Sequence, residues 1–117
     1  MRNDRQNIIV QKTFHFSLAI MEFTEDLRKA HKHELSSQLF RSGTSIGANI
    51  WEAQNAESKR DFVHKVKISA KEADETLYWL KLCKASKFYP NPSNYLLEEI
   101  EVIIKIISKI VSSSKLN

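Results

Sequence analysis

The stretch Arg41–Ala53, RSGTSIGANIWEA, holds both glycines of the 117-residue chain, Gly43 and Gly47. The residues around them repeat with helical spacing, and Leu39, Gly43, Ile46, Ile50 and Ala53 share one stripe. An interior glycine costs a helix about 1 kcal/mol relative to alanine. Two of them one turn apart mark a place where something must come closer than a methyl group allows. A phosphate-binding loop is excluded: it needs G-x-x-x-x-G-K-[ST] after a strand, and here Gly47 is followed by Ala48 and Asn49. A dinucleotide fingerprint fails for the same lack of a strand. Close helix packing remains. The expected neighbour of Gly43 and Gly47 is the third helical segment, whose middle is also small at Ser69, Ala70 and Ala73, with Trp51 and Trp79 filling the flanks.

Working outward, four periodic segments emerge, at about 10–30, 35–54, 59–86 and 93–111. In the first, Phe16, Ile20, Phe23 and Leu27 recur at spacings of four, three and four. In the third, Phe62, Val66, Ala70, Ala73, Leu77 and Leu80 lie on one side. The breaks are RKAHKHE, NAES and KFYPNPS. Ser58 with Asp61 three residues later resembles a capping box. Asn91 is placed to cap the fourth helix, with Pro92 at its first position. The tail SSSKLN reads as frayed. With two Gly, two Pro and no internal repeat, the chain reads as one all-α domain over residues 1–117. Short connections force neighbouring helices to run antiparallel, so the expected fold is an up-down-up-down four-helix bundle.

The charge balance, 18 Lys+Arg against 14 Asp+Glu, is mildly basic and permits an anionic partner without requiring one. One cysteine, Cys83, excludes an internal disulfide and fits a reducing compartment. The N-terminus lacks the apolar core of a signal peptide. The most apolar run, IEVIIKIISKIV, is interrupted by charges and is no membrane span, so the expected setting is cytoplasmic. The fourth segment nevertheless carries more apolar residues than one core stripe needs. Leu97, Val102, Ile104, Ile106 and Val111 flank the Leu96–Ile100–Ile103–Ile107–Ile110 face, a surplus that predicts self-association.

Two polar stripes run beside the apolar ones. Arg41, Ser45, Asn49 and Glu52 lie on the second helix, and Lys65, Ser69, Glu72 and Thr76 on the third. Their mixed charge predicts a hydrogen-bonded network between the two helices.

RSGTSIGANIWEAQNAESKRDF followed by KISAKEADETLYWLKL resembles the bacterial four helix bundle proteins that include those encoded within intervening sequences of 23S rRNA genes. The accessory protein of diversity-generating retroelements is similar in fold. The pattern rests on Arg41, Ser42, Ser45, Ile46, Asn49, Ile50 and Glu52, then Phe62, Glu72, Glu75, Thr76, Trp79 and Leu80. The resemblance implies a ring-like homopentamer without catalytic activity. In the retroelement relatives it also implies binding to nucleic acid and to a reverse transcriptase, a nucleic-acid enzyme.

The residues themselves offer a surface for such a partner, RNA or DNA. Arg60, His64, Lys67 and Lys71 step along one face of the third helix, and Arg28, Lys29 and Lys32 cluster at the end of the first. Five copies at +4 each would carry +20. A solvated face is the competing reading, since Asp61, Asp74 and Glu75 lie nearby. A protein–protein scaffold without nucleic-acid binding is the alternative function. An enzyme is not expected. The Glu-x-x-His motifs of a di-iron bundle are missing, with Glu57 followed three later by Arg60 and Glu72 by Glu75. His31 and His33 are a weak metal pair, and His15 and His64 stand alone in the sequence. No metal or other cofactor is expected.

Overall fold

The structure, a computed structural model, describes residues 4–114. It contains α1 (Asp4–Lys29), α2 (His33–Ala53), α3 (Lys59–Ala85) and α4 (Asn94–Ser113). Each helix packs on its chain neighbours, and α1 closes the bundle against α4. The fold is an all-α up-down bundle, 48 × 21 × 20 Å. The end of α1, the start of α2, the end of α3 and the start of α4 therefore share one end of the molecule.

The apolar stripes read from periodicity are the core. Phe16, Ile20 and Leu27 of α1, Leu39, Ile46 and Ile50 of α2, Val66, Ala73 and Leu80 of α3, and Leu96, Ile100, Ile103 and Ile107 of α4 are all buried. Phe62, Ala70 and Leu77 sit at the margin, half-buried. Each full burial of a Leu, Ile or Phe contributes about 1.5–3 kcal/mol.

The helix ends differ from expectation in instructive ways. The first break shrinks to Ala30–Lys32, because α2 begins at His33 and α1 starts before residue 10. His31 adopts a left-handed backbone, φ 63°. Lys32 N–H donates to the Leu27 carbonyl at 2.8 Å and His31 N–H to that of Arg28 at 2.9 Å. This is the Schellman arrangement, which satisfies the last carbonyls of α1 and usually has glycine where His31 stands. At α3, Ser58 caps by accepting from Asp61 N–H at 3.0 Å. The Asp61 carboxylate reaches back to Glu57 N–H at 3.2 Å instead of to that of Ser58. At α4 the expected cap was wrong. Ser93, not Asn91, accepts from the first turn, at Leu96 N–H. Pro92 is buried before the helix starts. The C-terminal serines Ser112 and Ser113 belong to α4, and the last three residues of the tail lie outside the described residues.

The glycines open α2 toward α1, not toward α3. A Cβ on Gly43 would stand 2.8 Å from both Cγ1 and Cγ2 of Ile20. On Gly47 it would meet the Thr13 carbonyl oxygen at 3.1 Å and Ser17 Oγ at 3.2 Å. The stripe of small residues on α3 suggested the wrong neighbour. On α1 the close approach is made by the large β-branched Ile20 against Gly43 and by the Thr13 backbone with the Ser17 hydroxyl against Gly47.

Candidate functional site

Arg60, His64, Lys67 and Lys71 all lie exposed on the face of α3 turned away from the core residues Val66, Ala73 and Leu80. None of Arg60, Lys67 and Lys71 forms an ion pair among the described residues. The nearby acids are largely engaged elsewhere. Asp61 closes the cap at the start of α3, and Glu75 binds Arg41. Asp74, itself exposed, takes the next step of that face, three residues after Lys71, and Tyr78, also exposed, follows two turns after Lys71.

The second basic cluster lies elsewhere. Arg28, Lys29 and Lys32 sit at the bundle end shared by the α1–α2 turn and the α3–α4 connection, whereas Arg60 starts α3 at the opposite end. Arg28 is 3.8 Å from Glu25. Lys32 Nζ rests 4.7 Å above the ring of Tyr89, a cation–π contact that joins the two loops. The fold adds Lys84 and Lys87 to this end, both exposed and both missed by reading along the chain.

The network between α2 and α3 forms, with a different membership. Arg41 spans Glu72 at 3.1 Å and Glu75 at 2.5 Å. Glu75 also accepts from Trp79 Nε1 at 3.0 Å. The bond from Arg41 holds the Glu75 carboxyl below its ordinary value, and the same bond raises the Arg41 guanidinium. Lys65 reaches Glu52 at 3.0 Å. Ser45 and Asn49 do not cross to α3: Asn49 bonds back to the Ser45 carbonyl at 2.9 Å. The buried crossing is made instead by Ser69, which donates to the Ile46 carbonyl at 2.8 Å, and by the Ser42–Thr76 hydroxyl pair at 2.9 Å. Thr76 also lies 2.8 Å from the Glu72 carbonyl, which can only accept. Its one proton goes there, so Ser42 donates to Thr76.

Apolar surface is exposed mainly where the sequence did not place it. On α4 only Tyr95 and Val102 are exposed large hydrophobics, and the rest of the surplus is half-buried against the core. Between α1 and α2 a groove of about 430 Å³ is lined by Phe14, Leu18, Met21, Phe40 and Trp51. Phe14 is 54% exposed and Trp51 58%. Trp51 therefore flanks this groove and does not pack into the α2–α3 contact.

Cys83 is fully buried among core side chains, and desolvation pushes its thiol up to about 11. No group of three or more His, Cys, Asp or Glu among the described residues is placed to hold a metal ion. The rings of His31 and His33 lie 5.8 Å apart, edge to face. No helix among the described residues is long and apolar enough to cross a membrane.

The model of the 23S rRNA-intervening sequence proteins matches residues 5–109. No curated protein matches the chain. A crystal structure of a protein of unknown function from the S23 ribosomal protein family of Bacteroides thetaiotaomicron is similar, with 34% identity and a TM-score of 0.85. The similarity covers 92% of this chain and 98% of that one. Four helices of this length and order, matched along nearly their whole span, place the chain in the 23S rRNA-intervening sequence protein family.

Proposed function

We propose that this protein is a non-enzymatic, cytoplasmic module that assembles into a homo-oligomer, a ring of five as the resemblance implies, and binds nucleic acid through its basic surface. The observation that carries the binding role is the α3 face, where Arg60, Lys67 and Lys71 are exposed and free of ion-pair partners among the described residues. Basic side chains aligned along one helix neutralise phosphates and release their counterions, and repeated copies add their fields. Self-association rests on the α1–α2 groove, since contiguous apolar surface of this kind marks an interface on most proteins.

Charge reversal tests the binding role. Arg60→Glu, Lys67→Glu and Lys71→Glu together should abolish binding to duplex RNA and duplex DNA at physiological salt while leaving the melting curve in place. Unchanged affinity would remove α3 from the account. Phe14→Glu with Trp51→Glu tests the groove, with loss of oligomer mass expected and an unaltered mass as the contrary result.

The groove also favours a second reading, a protein–protein scaffold without nucleic-acid binding. A captured protein partner whose binding ignores salt, together with no affinity for RNA or DNA, would select it.

A further inference from the structure

The bundle end that joins the α1–α2 turn to the α3–α4 connection combines three features. The first is charge. Residues 28–33 and 84–89 contain Arg28, Lys29, Lys32, Lys84 and Lys87, with no acidic residue in either stretch. Of these, only Arg28 has a carboxylate partner among the described residues. The second is an unsupported aromatic ring. Phe88 is 81% exposed, yet its backbone is held by a bond from its N–H to Ser86 Oγ at 3.0 Å. The third is a pocket of about 390 Å³ at the same end, lined by Glu34, Leu35, Gln38, Trp79, Leu82 and Tyr89, the last of these the chain neighbour of Phe88. Its aromatic walls are fixed: Trp79 is bonded to Glu75 and Tyr89 is held under Lys32.

Each feature alone has a bland explanation, but their juxtaposition selects one ligand chemistry. Cations track phosphates. An exposed ring and an aromatic-walled pocket accept flat bases, and only bases not already stacked in a duplex. Gln38 and Glu34 at the pocket supply acceptors for the amino groups of a base. We propose that this end is a binding site for unpaired nucleic acid. Phe88 stacks on one base, the neighbouring pocket receives another, and Lys29, Lys32, Lys84 and Lys87 hold the intervening phosphates. The inference rests on the nucleic-acid reading above and goes beyond it in strand type, place and residues. An acidic polypeptide is the rival ligand, and polyglutamate, which has the charge but no flat ring, separates the two.

The test is a titration of the full chain with a single-stranded RNA, a single-stranded DNA and the matching duplex, repeated with polyglutamate. Phe88→Ala should weaken single-strand binding at least about fivefold and leave duplex binding unchanged, as removal of one stacked base requires. Its melting curve should not move, because the Phe88 ring stands in solvent. Lys32→Glu with Lys87→Glu should weaken binding to single strands and make its salt dependence shallower, by about 0.7 in slope for each phosphate no longer neutralised. Unaltered single-strand affinity in Phe88→Ala, or polyglutamate bound as tightly as RNA, would overturn the proposal. Binding abolished on reversal of Arg60, Lys67 and Lys71 but untouched by both end variants would overturn it while leaving the α3 reading intact. Absence of any binding at low salt would overturn both.

Discussion

Gly43→Ala is the substitution that most sharply tests how α1 and α2 meet. In an unhindered helix the change should stabilise by about 1 kcal/mol. Here the new methyl would stand 2.8 Å from Ile20 Cγ1 and Cγ2 and 3.0 Å from Cδ1. Carbon atoms rest at about 3.5–4.0 Å, so three contacts are compressed by about 0.5–1.2 Å. Cγ1 and Cγ2 both branch from the same carbon of a fully buried residue, and no rotation of Ile20 clears them together. Overpacking of this kind costs about 1–3 kcal/mol. The net expectation is a loss of up to about 2 kcal/mol, or several degrees in Tm for a chain of this size. Ile20→Ala removes all three clashing atoms, at its own cost of about 2–5 kcal/mol. In that background Gly43→Ala should become stabilising. The assay is thermal and urea unfolding of the four variants at one protomer concentration, because self-association would shift each transition. A stabilising Gly43→Ala in the wild-type chain, with the same increment in Ile20→Ala, would refute the reasoning.

His31→Gly should raise stability by about 0.5–1 kcal/mol, since glycine enters the left-handed region without the penalty His31 incurs; a lowered Tm would count against the Schellman reading of this turn. Thr76→Val should cost about 1–3 kcal/mol by leaving the buried Ser42 hydroxyl without its acceptor, and a neutral effect in urea unfolding would contradict that assignment. Glu75 has its carboxyl lowered by Arg41, so its contribution is complete above the unfolded carboxylate value and is lost as pH falls through the folded value. The Tm deficit of Arg41→Ala should accordingly be larger at pH 7 than in acid, and a deficit independent of pH would exclude the linkage. Cys83, buried with a raised thiol, should react with a thiol reagent at about pH 8 only on the timescale of unfolding; rapid labelling of the native chain would show an opening the fold does not provide.

Most of the fold was legible because the core stripes have a single period. Phe16–Leu27, Leu39–Ala53 and Leu96–Ile110 alternate cleanly between buried and exposed positions, and the structure buries them as spaced. Helix ends were less legible. His31 ends α1 in a conformation that sequence signals reserve for glycine, and Ser93 outcompeted the Asn91–Pro92 pair. The direction in which the glycines point was not legible at all. Gly43 lies on a stripe flanked by two helices, and spacing alone does not distinguish a contact with Ile20 from one with Ala73. The apolar surplus of α4 is half-buried against the core except at Tyr95 and Val102, and the most exposed apolar groove lies between α1 and α2. A half-buried flank such as Ile104 looks the same in sequence as an exposed one, whereas Phe14, Leu18 and Met21 become a groove only beside Phe40 and Trp51. The α3 basic stripe was local and therefore readable. Lys84, Lys87 and Phe88 join Lys32 across a long stretch of chain, through a contact that the connection lengths permit but do not specify.

On the proposed reading, this bundle binds nucleic acid electrostatically as an oligomer. The most direct measurement is a titration of labelled structured RNA and duplex DNA with the intact protein at low and at physiological salt, with the mass of the complex determined at each point. Engagement of even the three α3 cations by duplex phosphates gives a salt slope of about −2.7, or about a 40-fold loss of affinity between about 50 and 200 mM. Tight binding at low salt, a slope at least that steep, and a complex containing several protomers are expected. No binding at low salt, or affinity that ignores salt, would contradict this reading and leave the apolar α1–α2 groove as the functional surface.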